Sequence, residues 1–382
     1  MQRSLTVACG LLTLCALACG PTSGEARSAA GTLFVSQAGS STVVAIDAVT
    51  AAPQGRIEVG FLPHNLVSSP DGKTLYAVVV GSQSIAEIDT ATRQLRRTFL
   101  TGAVPTSRDD GTVIQDHLDQ DASAHTTCYD CHRPGGALPK YVGDRPFGLV
   151  LAPGGRQLVV CHILTRDVTV LDAATGAILR TVRLDPSGEA REAVALAALE
   201  DVLWVALRPR QPSTLPGALR RLDATTLAPL GESLSGSDTG SLLALPERAS
   251  VLASNFETDT VTEHDGSGGS RAIHAAPGPL GMLTLPDGRV LTLDYYSNAI
   301  SFLDLDDNRS ETLPLAFGST SYVNPTQAAL SGDQRSAWIV SSGTDGHLLQ
   351  LDLASRSIVR DVPIDGLSFG VTFVPAAPPV MP

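Results

Sequence analysis

The sequence predicts an all-β fold, a seven-bladed β-propeller whose C-terminal strand completes the first blade. A hydrophobic residue followed by Asp recurs along the chain, with one degenerate copy in which His precedes the Asp. The Asp residues of the seven copies are Asp47, Asp89, Asp172, Asp223, Asp265, Asp304 and Asp352. All but one of the spacings between them lie between 39 and 51 residues. A period of about 40 residues with four strands in each unit is typical of propeller blades.

One repeat shows the four strands directly. Residues 63–102 begin with an apolar strand that ends at a Pro-Asp-Gly turn, and a second apolar strand follows. A polar Gly-Ser turn then precedes an alternating strand that ends at Ile88-Asp89, and a Thr-Ala-Thr turn leads into a fourth strand. Glycine, proline and small polar residues between apolar runs are turn signals, so this stretch predicts one complete blade.

The two ends of the repeat array complement each other. The first copy starts at Gly31 with its second strand and lacks an inner strand, while the array ends with a lone apolar strand over 367–374. We expect this last strand to pair with the strand at 32–36, because the pairing closes the ring and removes its open edges. Residues 376–382 remain as a tail.

The amino-acid sequence of the repeat resembles that of a known family. Residues 69–94 read SPDGKTLYAVVVGSQSIAEIDTATRQ, which resembles the YVTN family of bacterial propellers. The resemblance covers nearly all of residues 31–375. It implies the propeller fold and little about function, because propellers carry many activities.

The N-terminus predicts export to the bacterial cell envelope. Arg3 precedes an apolar run, which is typical of a signal peptide over residues 1–18. Cys19 follows this run in a stretch that resembles a bacterial lipobox, and residues 19–30 contain Gly, Ser and Pro. The resemblance implies a lipidated Cys19 with a flexible tether, and so a lipoprotein at the periplasmic face or the outer membrane. Plain secretion after Ala18 is the alternative.

Charge and hydropathy argue against a nucleic-acid partner and against a membrane-spanning segment beyond the N-terminus. The formal net charge is −12, and the basic residues are almost all Arg without a clustered run. Proteins that bind nucleic acid concentrate positive charge on one face, so we expect no nucleic-acid surface. No later apolar run approaches the roughly 20 residues that span a bilayer, so we expect membrane association only through the lipid anchor.

One inserted segment carries the chemistry. The largest spacing between two repeat Asp residues, 83 residues, leaves room for a polar insertion at 103–143. This insertion contains Cys128-x-x-Cys131-His132. Two thiols and a histidine at this spacing attach a haem and bind its iron, as in c-type cytochromes. We therefore predict one covalent haem c, with thioethers at Cys128 and Cys131 and His132 as the proximal ligand.

Two other roles of the cysteines stay open. Cys128 and Cys131 can form a disulfide, which an oxidising compartment permits. Alternatively, they can bind zinc or another transition metal together with His132 and one of Cys161 or His162, since four such ligands fit a tetrahedral site.

Strand direction places a further histidine near the motif. Because strands alternate in direction, the connection between two blades and the loop between the second and third strands lie on one face. The residue ten before each repeat Asp marks the end of the second strand, and in the third blade it is His162. We predict His162 as the sixth ligand of the iron, with His64 as the second choice, while Cys161 points the other way. The further candidates are His117, His125 and Met282.

These features predict an envelope-anchored electron-transfer protein, or a redox partner of another protein, whose propeller presents a docking face. The insertion has few apolar side chains, so other residues have to help bury a porphyrin. The candidates are Leu138, Tyr141, Phe147, Ile163, Tyr295 and Tyr296.

Two alternative functions belong to other classes. One is a binding propeller whose cysteines are structural. The other is an oxidoreductase with a substrate surrounded by His162, His64, Asn255 and Asp294. Because the chain has a single haem motif, we expect an electron carrier or binding protein rather than an independent enzyme.

Overall fold

The computed structural model describes residues 29–102, 145–163, 165–184, 191–209 and 215–376. In these ranges the chain forms seven four-stranded antiparallel sheets and a two-stranded hairpin. The fold is therefore the predicted all-β seven-bladed propeller. The predicted signal peptide, Cys19 and the Cys-x-x-Cys-His motif lie outside the described ranges. None of the helices within these ranges has the length and apolar character needed to cross a membrane.

Each blade has four strands, A to D, from the propeller axis outward. Blade one consists of β30 (Ser368–Pro375), β1 (Gly31–Gln37), β2 (Thr42–Asp47) and β3 (Pro53–Glu58). Blade two consists of β4 (Pro63–Ser68), β5 (Thr74–Val79), β6 (Ser84–Asp89) and β7 (Gln94–Leu100). Blade three consists of β8 (Pro146–Leu151), β9 (Gln157–His162), β10 (Asp167–Asp172) and β11 (Ile178–Arg183). Blade four consists of β12 (Arg191–Leu199), β13 (Val202–Pro209), β14 (Ala218–Asp223) and β15 (Pro229–Leu234).

The remaining blades follow the same order. Blade five consists of β16 (Thr239–Leu245), β17 (Ser250–Asn255), β18 (Thr260–Asp265) and β19 (Ser270–His274). Blade six consists of β20 (Pro279–Thr284), β21 (Val290–Asp294), β22 (Ala299–Asp304) and β23 (Arg309–Pro314). A hairpin of β24 (Ala316–Phe317) and β25 (Thr320–Ser321) leads to blade seven. Blade seven consists of β26 (Pro325–Leu330), β27 (Ser336–Ser342), β28 (Gly346–Asp352) and β29 (Ser357–Ile364). Short 3-10 helices lie at Ala38–Ser40, Val80–Ser82 and Pro246–Arg248.

The last strand closes the ring, as the sequence predicts. β30 pairs antiparallel with β1, with Thr32 opposite Val374 and Gln37 opposite Ser368. Blade one is thereby built from both ends of the array, and its inner strand comes from the C-terminus. A closed ring leaves no inner blade edge free to pair with another chain.

The repeat Asp residues each end strand C and hold the turn that follows. Oδ1 of Asp47 accepts hydrogen bonds from the backbone N–H groups of Val49 (3.0 Å) and Thr50 (2.8 Å). Thr225 and Thr226 donate to Asp223 in the same way. The bond from Thr50, with the others, lowers the pKa of Asp47 below its usual value. These carboxylates are therefore turn residues, which explains why they recur at each blade.

Hydrophobic side chains fill the space between neighbouring blades. Strand alternation sends Val160 of β9 toward blade two, where it packs in one cluster with Val78. Cys161, the next residue, packs on the opposite side in a cluster with Val205 of blade four. The predicted opposite orientation of residues 161 and 162 follows from this alternation.

The inner strands approach one another closely around the axis. Gly370 in β30 faces β4, and a Cβ atom at that position would lie 2.5 Å from the carbonyl oxygen of His64. Ser36 of β1 ties these strands together, because Gly370 N donates to its Oγ (2.7 Å) and that Oγ donates to His64 O (2.5 Å). Glycine is required at this point because a side chain would push the inner strands apart.

Removal of the closing strand tests this architecture. Deletion of residues 366–382 removes β30 with the buried side chains of Phe369, Val371 and Val374. Burial of one such side chain contributes about 1.5–3 kcal/mol, so we expect the free energy of unfolding to fall by roughly 5 kcal/mol or more. Urea unfolding followed by circular dichroism measures the change.

Deletion of residues 377–382 alone is the matched control, because it leaves β30 complete. We expect this shorter deletion to keep the unfolding midpoint of the full chain. An unchanged midpoint after the longer deletion would contradict the role of β30 in closing the ring.

Candidate functional site

The residues that flank the inserted segment lie on one face of the propeller. Before the insertion, the backbone N–H of Thr101 donates to the carbonyl of Gln83 (3.1 Å), in the B–C turn of blade two. After it, the carbonyl of Arg145 accepts from the N–H of Ile163 (3.0 Å), in the B–C turn of blade three. We call this face, formed by the B–C turns and the connections between blades, the insertion face.

The structure describes part of the predicted site. Cys128, Cys131 and His132 lie outside the described residues. So do the predicted residues Cys19, His117, His125, Leu138 and Tyr141. Within the described ranges, no group of three or more His, Cys, Asp or Glu side chains is arranged to hold a metal ion. The described part of the predicted site therefore consists of isolated histidines at the insertion face, without a preformed cluster of metal ligands.

His162 ends β9 at the insertion face, where the sequence places it. It pairs with Pro146, at the start of β8, and its side chain is fully buried. Its Nδ1 lies 2.8 Å from Oδ1 of Asp167, but not along the direction of a ring N–H hydrogen bond. Nε2 has no hydrogen-bond partner within the described part of the chain. A buried nitrogen without a hydrogen-bond partner is costly, so a further partner at Nε2 would be favourable.

The same position carries a buried polar residue in other blades. In blade one, Gln37 Oε1 accepts from Thr42 Oγ1 (3.2 Å). In blade five, Asn255 Nδ2 donates to Thr262 Oγ1 (2.6 Å). These side chains join the end of strand B to strand C, so the position has a structural role in the repeat. In blade three, His162 holds this position, and its Nε2 has no hydrogen-bond partner among the described residues.

Cys161 does not fit the role of a zinc ligand. Its thiol is fully buried in the apolar contact between blades three and four, and burial raises the pKa of the thiol to about 12. Zinc binds the thiolate, which this environment disfavours. Cys161 holds the position of Ser36 in blade one and Ser254 in blade five, where Ser254 Oγ donates to Leu280 O (2.8 Å). The cysteine is therefore a packing residue of the blade contact.

His64 is the second residue of β4 and lies at the propeller axis. Its imidazole is sandwiched between Phe147 of β8 and Phe369 of β30, with both ring centroids at 4.4 Å. Its Nδ1 lies 3.2 Å from Oδ1 of Asn65. Burial lowers the pKa of His64 to about 4, so the ring is neutral at neutral pH. A neutral imidazole is the form that binds a metal ion.

The inner strands enclose a central cavity of about 300 Å³. His64, Phe147 and Phe369 line one side of it, and Phe256 and Tyr295 line it from blades five and six. The two latter rings contact each other at a centroid distance of 5.6 Å. The cavity wall is thus largely aromatic and aliphatic, as in many small-molecule sites.

At the cavity, one guanidinium lies between two carboxylates. Arg208 Nη2 lies 2.8 Å from Oε2 of Glu192, and its Nη1 lies 3.2 Å from Oδ1 of Asp238. Arg208 and Asp238 line the cavity, and Glu192 is buried beside them. One guanidinium between two carboxylates leaves no excess positive charge for an anion.

Several predicted residues lie apart from this cavity. Of the four residues expected around a substrate, His64 lines it, whereas His162, Asn255 and Asp294 are not among its walls. Met282, a further candidate ligand, is the fourth residue of β20 and packs against a hydrophobic cluster. Among the residues expected to help bury a porphyrin, the cavity is lined by Phe147 and Tyr295.

Sequence reasoning missed Asn65 and Gln327, which meet at the cavity. Gln327 Nε2 donates to Asn65 Oδ1 over 3.1 Å, although the two residues are separated by 262 positions. Each belongs to the first residues of an inner strand, β4 or β26. The signal available in the sequence was their place at the start of strand A, where the repeat directs side chains toward the axis.

The comparisons with known proteins support the fold. No protein-family model matches the sequence, and no curated protein matches it. Hydrazine synthase from Kuenenia stuttgartiensis is 14% identical, with a TM-score of 0.62, and the match covers 88% of this chain and 94% of that chain. A functionally unknown protein from Desulfotomaculum acetoxidans is 12% identical, with a TM-score of 0.65 over 91% of this chain and 100% of that chain.

Bacterial lyases share the architecture as well. Virginiamycin B lyase from Staphylococcus aureus is 11% identical, with a TM-score of 0.54 over 79% of this chain and 84% of that chain. At these identities the likeness shows the fold alone. The chain is thus a seven-bladed propeller that resembles bacterial propellers of this kind, and its chemistry has to be inferred from its own residues.

Asp294 gives the protein a pH-dependent stability. It ends β21, and its carboxylate accepts from Ser301 Oγ (2.6 Å) and Thr292 Oγ1 (2.8 Å). Burial raises the pKa of Asp294 to about 6. Because the folded state holds the proton more tightly than the unfolded chain, the stabilisation is complete below about pH 4 and is lost as the pH rises through 6.

The substitution Asp294→Asn tests this assignment. When the pH rises from 5 to 8, the free energy of unfolding of the wild type should fall by about 1–2 kcal/mol because Asp294 loses its proton. The Asp294→Asn variant should not show this fall. Urea unfolding at both pH values measures it. Asp47→Asn is the control, because the pKa of Asp47 is lowered and its titration lies below this range. An unchanged pH dependence in Asp294→Asn would contradict the raised pKa.

Proposed function

We propose that the protein is an electron-transfer protein, or the redox partner of another protein, with one covalent haem c on the insertion face. The observation that carries the proposal is Cys128-x-x-Cys131-His132 within a segment whose flanking residues lie on that face. Cys128 and Cys131 would hold the porphyrin by thioethers, and His132 would bind the iron. The bound haem would supply one-electron redox chemistry.

The described residues fit such a group. His64 offers a neutral imidazole at the cavity, with Nδ1 at 3.2 Å from Oδ1 of Asn65. His162 has a buried Nε2 without a hydrogen-bond partner among the described residues. Both side chains therefore carry the chemistry of an axial iron ligand, and both belong to the insertion face.

Of the two, His64 needs the smaller rearrangement. It is partly exposed and lines the cavity, whereas His162 has no exposed surface. The backbone of His162 also closes its own turn, because its carbonyl accepts from the N–H of Arg166 (3.1 Å). Access to His162 requires that turn to open, so we favour His64 as the sixth ligand.

A redox partner would dock on the same face. Leu100 and Leu234 end the outer strands of blades two and four there, with 53% and 62% of their surface exposed. Phe317 and Val323, in the connection to blade seven, are exposed as well. Apolar groups with a polar surround are typical of transient interfaces. With a lipidated Cys19, the protein would hold this face in the bacterial cell envelope.

The first experiment asks whether haem is attached. The chain, matured with a cytochrome assembly system, should give a pyridine haemochrome spectrum of one haem c per chain. Cys128→Ala with Cys131→Ala should abolish covalent attachment, and Cys161→Ser should retain it because serine occupies the same position in other blades. No Soret band and about one zinc per chain would overturn the proposal in favour of a metal site. If the protein contains neither haem nor metal, a disulfide between Cys128 and Cys131 is the remaining explanation, and the proposal is overturned.

The second experiment separates the two histidines. His64→Phe keeps a ring between Phe147 and Phe369 but removes the nitrogen, and His162→Gln introduces the residue that blade one carries at that position. In His64→Phe we expect haem to stay bound while the iron changes from low spin toward high spin. His162→Gln should keep the wild-type spectrum. The reverse pattern would assign the sixth ligand to His162.

A further inference from the structure

Two amide side chains in the central cavity are joined by a hydrogen bond. Asn65 Oδ1 accepts from Gln327 Nε2 (3.1 Å) and lies 3.2 Å from His64 Nδ1. In the bond between the two amides, Gln327 Nε2 is the donor and Asn65 Oδ1 is the acceptor. Asn65 then presents Nδ2 as a donor, and Gln327 presents Oε1 as an acceptor.

These two groups make no hydrogen bond in the described part of the structure. Asn65 Nδ2 and Gln327 Oε1 have no hydrogen-bond partner among the described residues, and both residues are partly exposed where they line the cavity. Neighbouring hydroxyls are already committed to the backbone, as in the bond from Thr326 Oγ1 to Phe369 O (2.9 Å). The cavity therefore offers one donor and one acceptor from a linked pair of amides.

The surroundings favour a flat ligand and disfavour an anion. The ring stack of His64 with Phe147 and Phe369 stands next to the amides, and aromatic walls favour planar molecules. Arg208 is matched by Glu192 and Asp238, so an anion finds no free positive charge. A volume of about 300 Å³ suits a molecule of one or two rings.

We propose that the cavity binds a neutral planar ring with a cis-amide edge, such as a lactam or a pyrimidinone. The ring carbonyl would accept from Asn65 Nδ2, and the ring N–H would donate to Gln327 Oε1. The two amides belong to β4 and β26 of the propeller. The cavity also contains His64, the favoured sixth ligand of the proposed haem, so a haem ligated by His64 would compete with this ring.

Titration with 2-pyridone tests the proposal, since its N–H and C=O lie side by side on one edge. Ligand-observed NMR with the full-length Cys128→Ala/Cys131→Ala variant, which cannot attach haem, should show saturable binding at one site. N-methyl-2-pyridone keeps the ring and the carbonyl but lacks the donor, so its affinity should be about tenfold lower. Equal affinity for the two probes, or no saturable binding of 2-pyridone, would overturn the proposal.

Variants assign the site to the amide pair. Gln327→Met removes Oε1 at nearly constant volume and should weaken 2-pyridone about tenfold. Gln350→Met is the matched control in the same blade, because Gln350 bonds to Ser336 and does not line the cavity. Thermal unfolding of both variants confirms that each one folds. Unchanged affinity in folded Gln327→Met, or equal loss in both variants, would also overturn the proposal.

Discussion

The antiparallel pairing of β30 with β1 holds the insertion face together as well as the ring. β30 lies beside both β4 and β26, so it sets the spacing of the inner strands on either side. Ser36 carries this constraint into the site, because it accepts from Gly370 N and donates to the carbonyl of His64. β30 also supplies Phe369, which stacks on the His64 imidazole. The position of His64 at the axis therefore depends on a strand that is 304 residues away in the sequence, counted from His64 to Ser368.

The buried polar residues at the end of strand B show how one structural position can acquire chemistry. In blades one and five, Gln37 and Asn255 satisfy their polar groups within the blade. Asp294 does so in blade six, but burial raises its pKa to about 6. His162 leaves Nε2 without a partner among the described residues. The repeat tolerates these exchanges because the backbone bonds of each blade hold the turn, so the side chain is free to vary.

The two candidate activities meet on one face of the propeller, at the cavity lined by His64. The proposed haem depends on Cys128, Cys131 and His132 in the inserted segment, whereas the proposed ligand cavity depends on Asn65 and Gln327 in the inner strands. Aromatic rings surround the cavity, and its one guanidinium is held by two carboxylates, so the proposed recognition relies on hydrogen bonds and stacking. Both proposed sites would share the wall at His64, so ligation of the iron by His64 and binding of the ring would compete.

Hydrophobic periodicity and turn chemistry by themselves determined the number of blades, the strand ends at His162 and the repeat Asp residues, and the closure by residues 367–374. These features are local, because a strand alternates with period two and an Asp turn is satisfied within a few residues. The opposite orientation of Cys161 and His162 follows from the same alternation. Tertiary structure alone decided that Asn65 meets Gln327 across 262 positions. Such contacts depend on where a closed ring brings the inner strands together, and no local pattern encodes that distance.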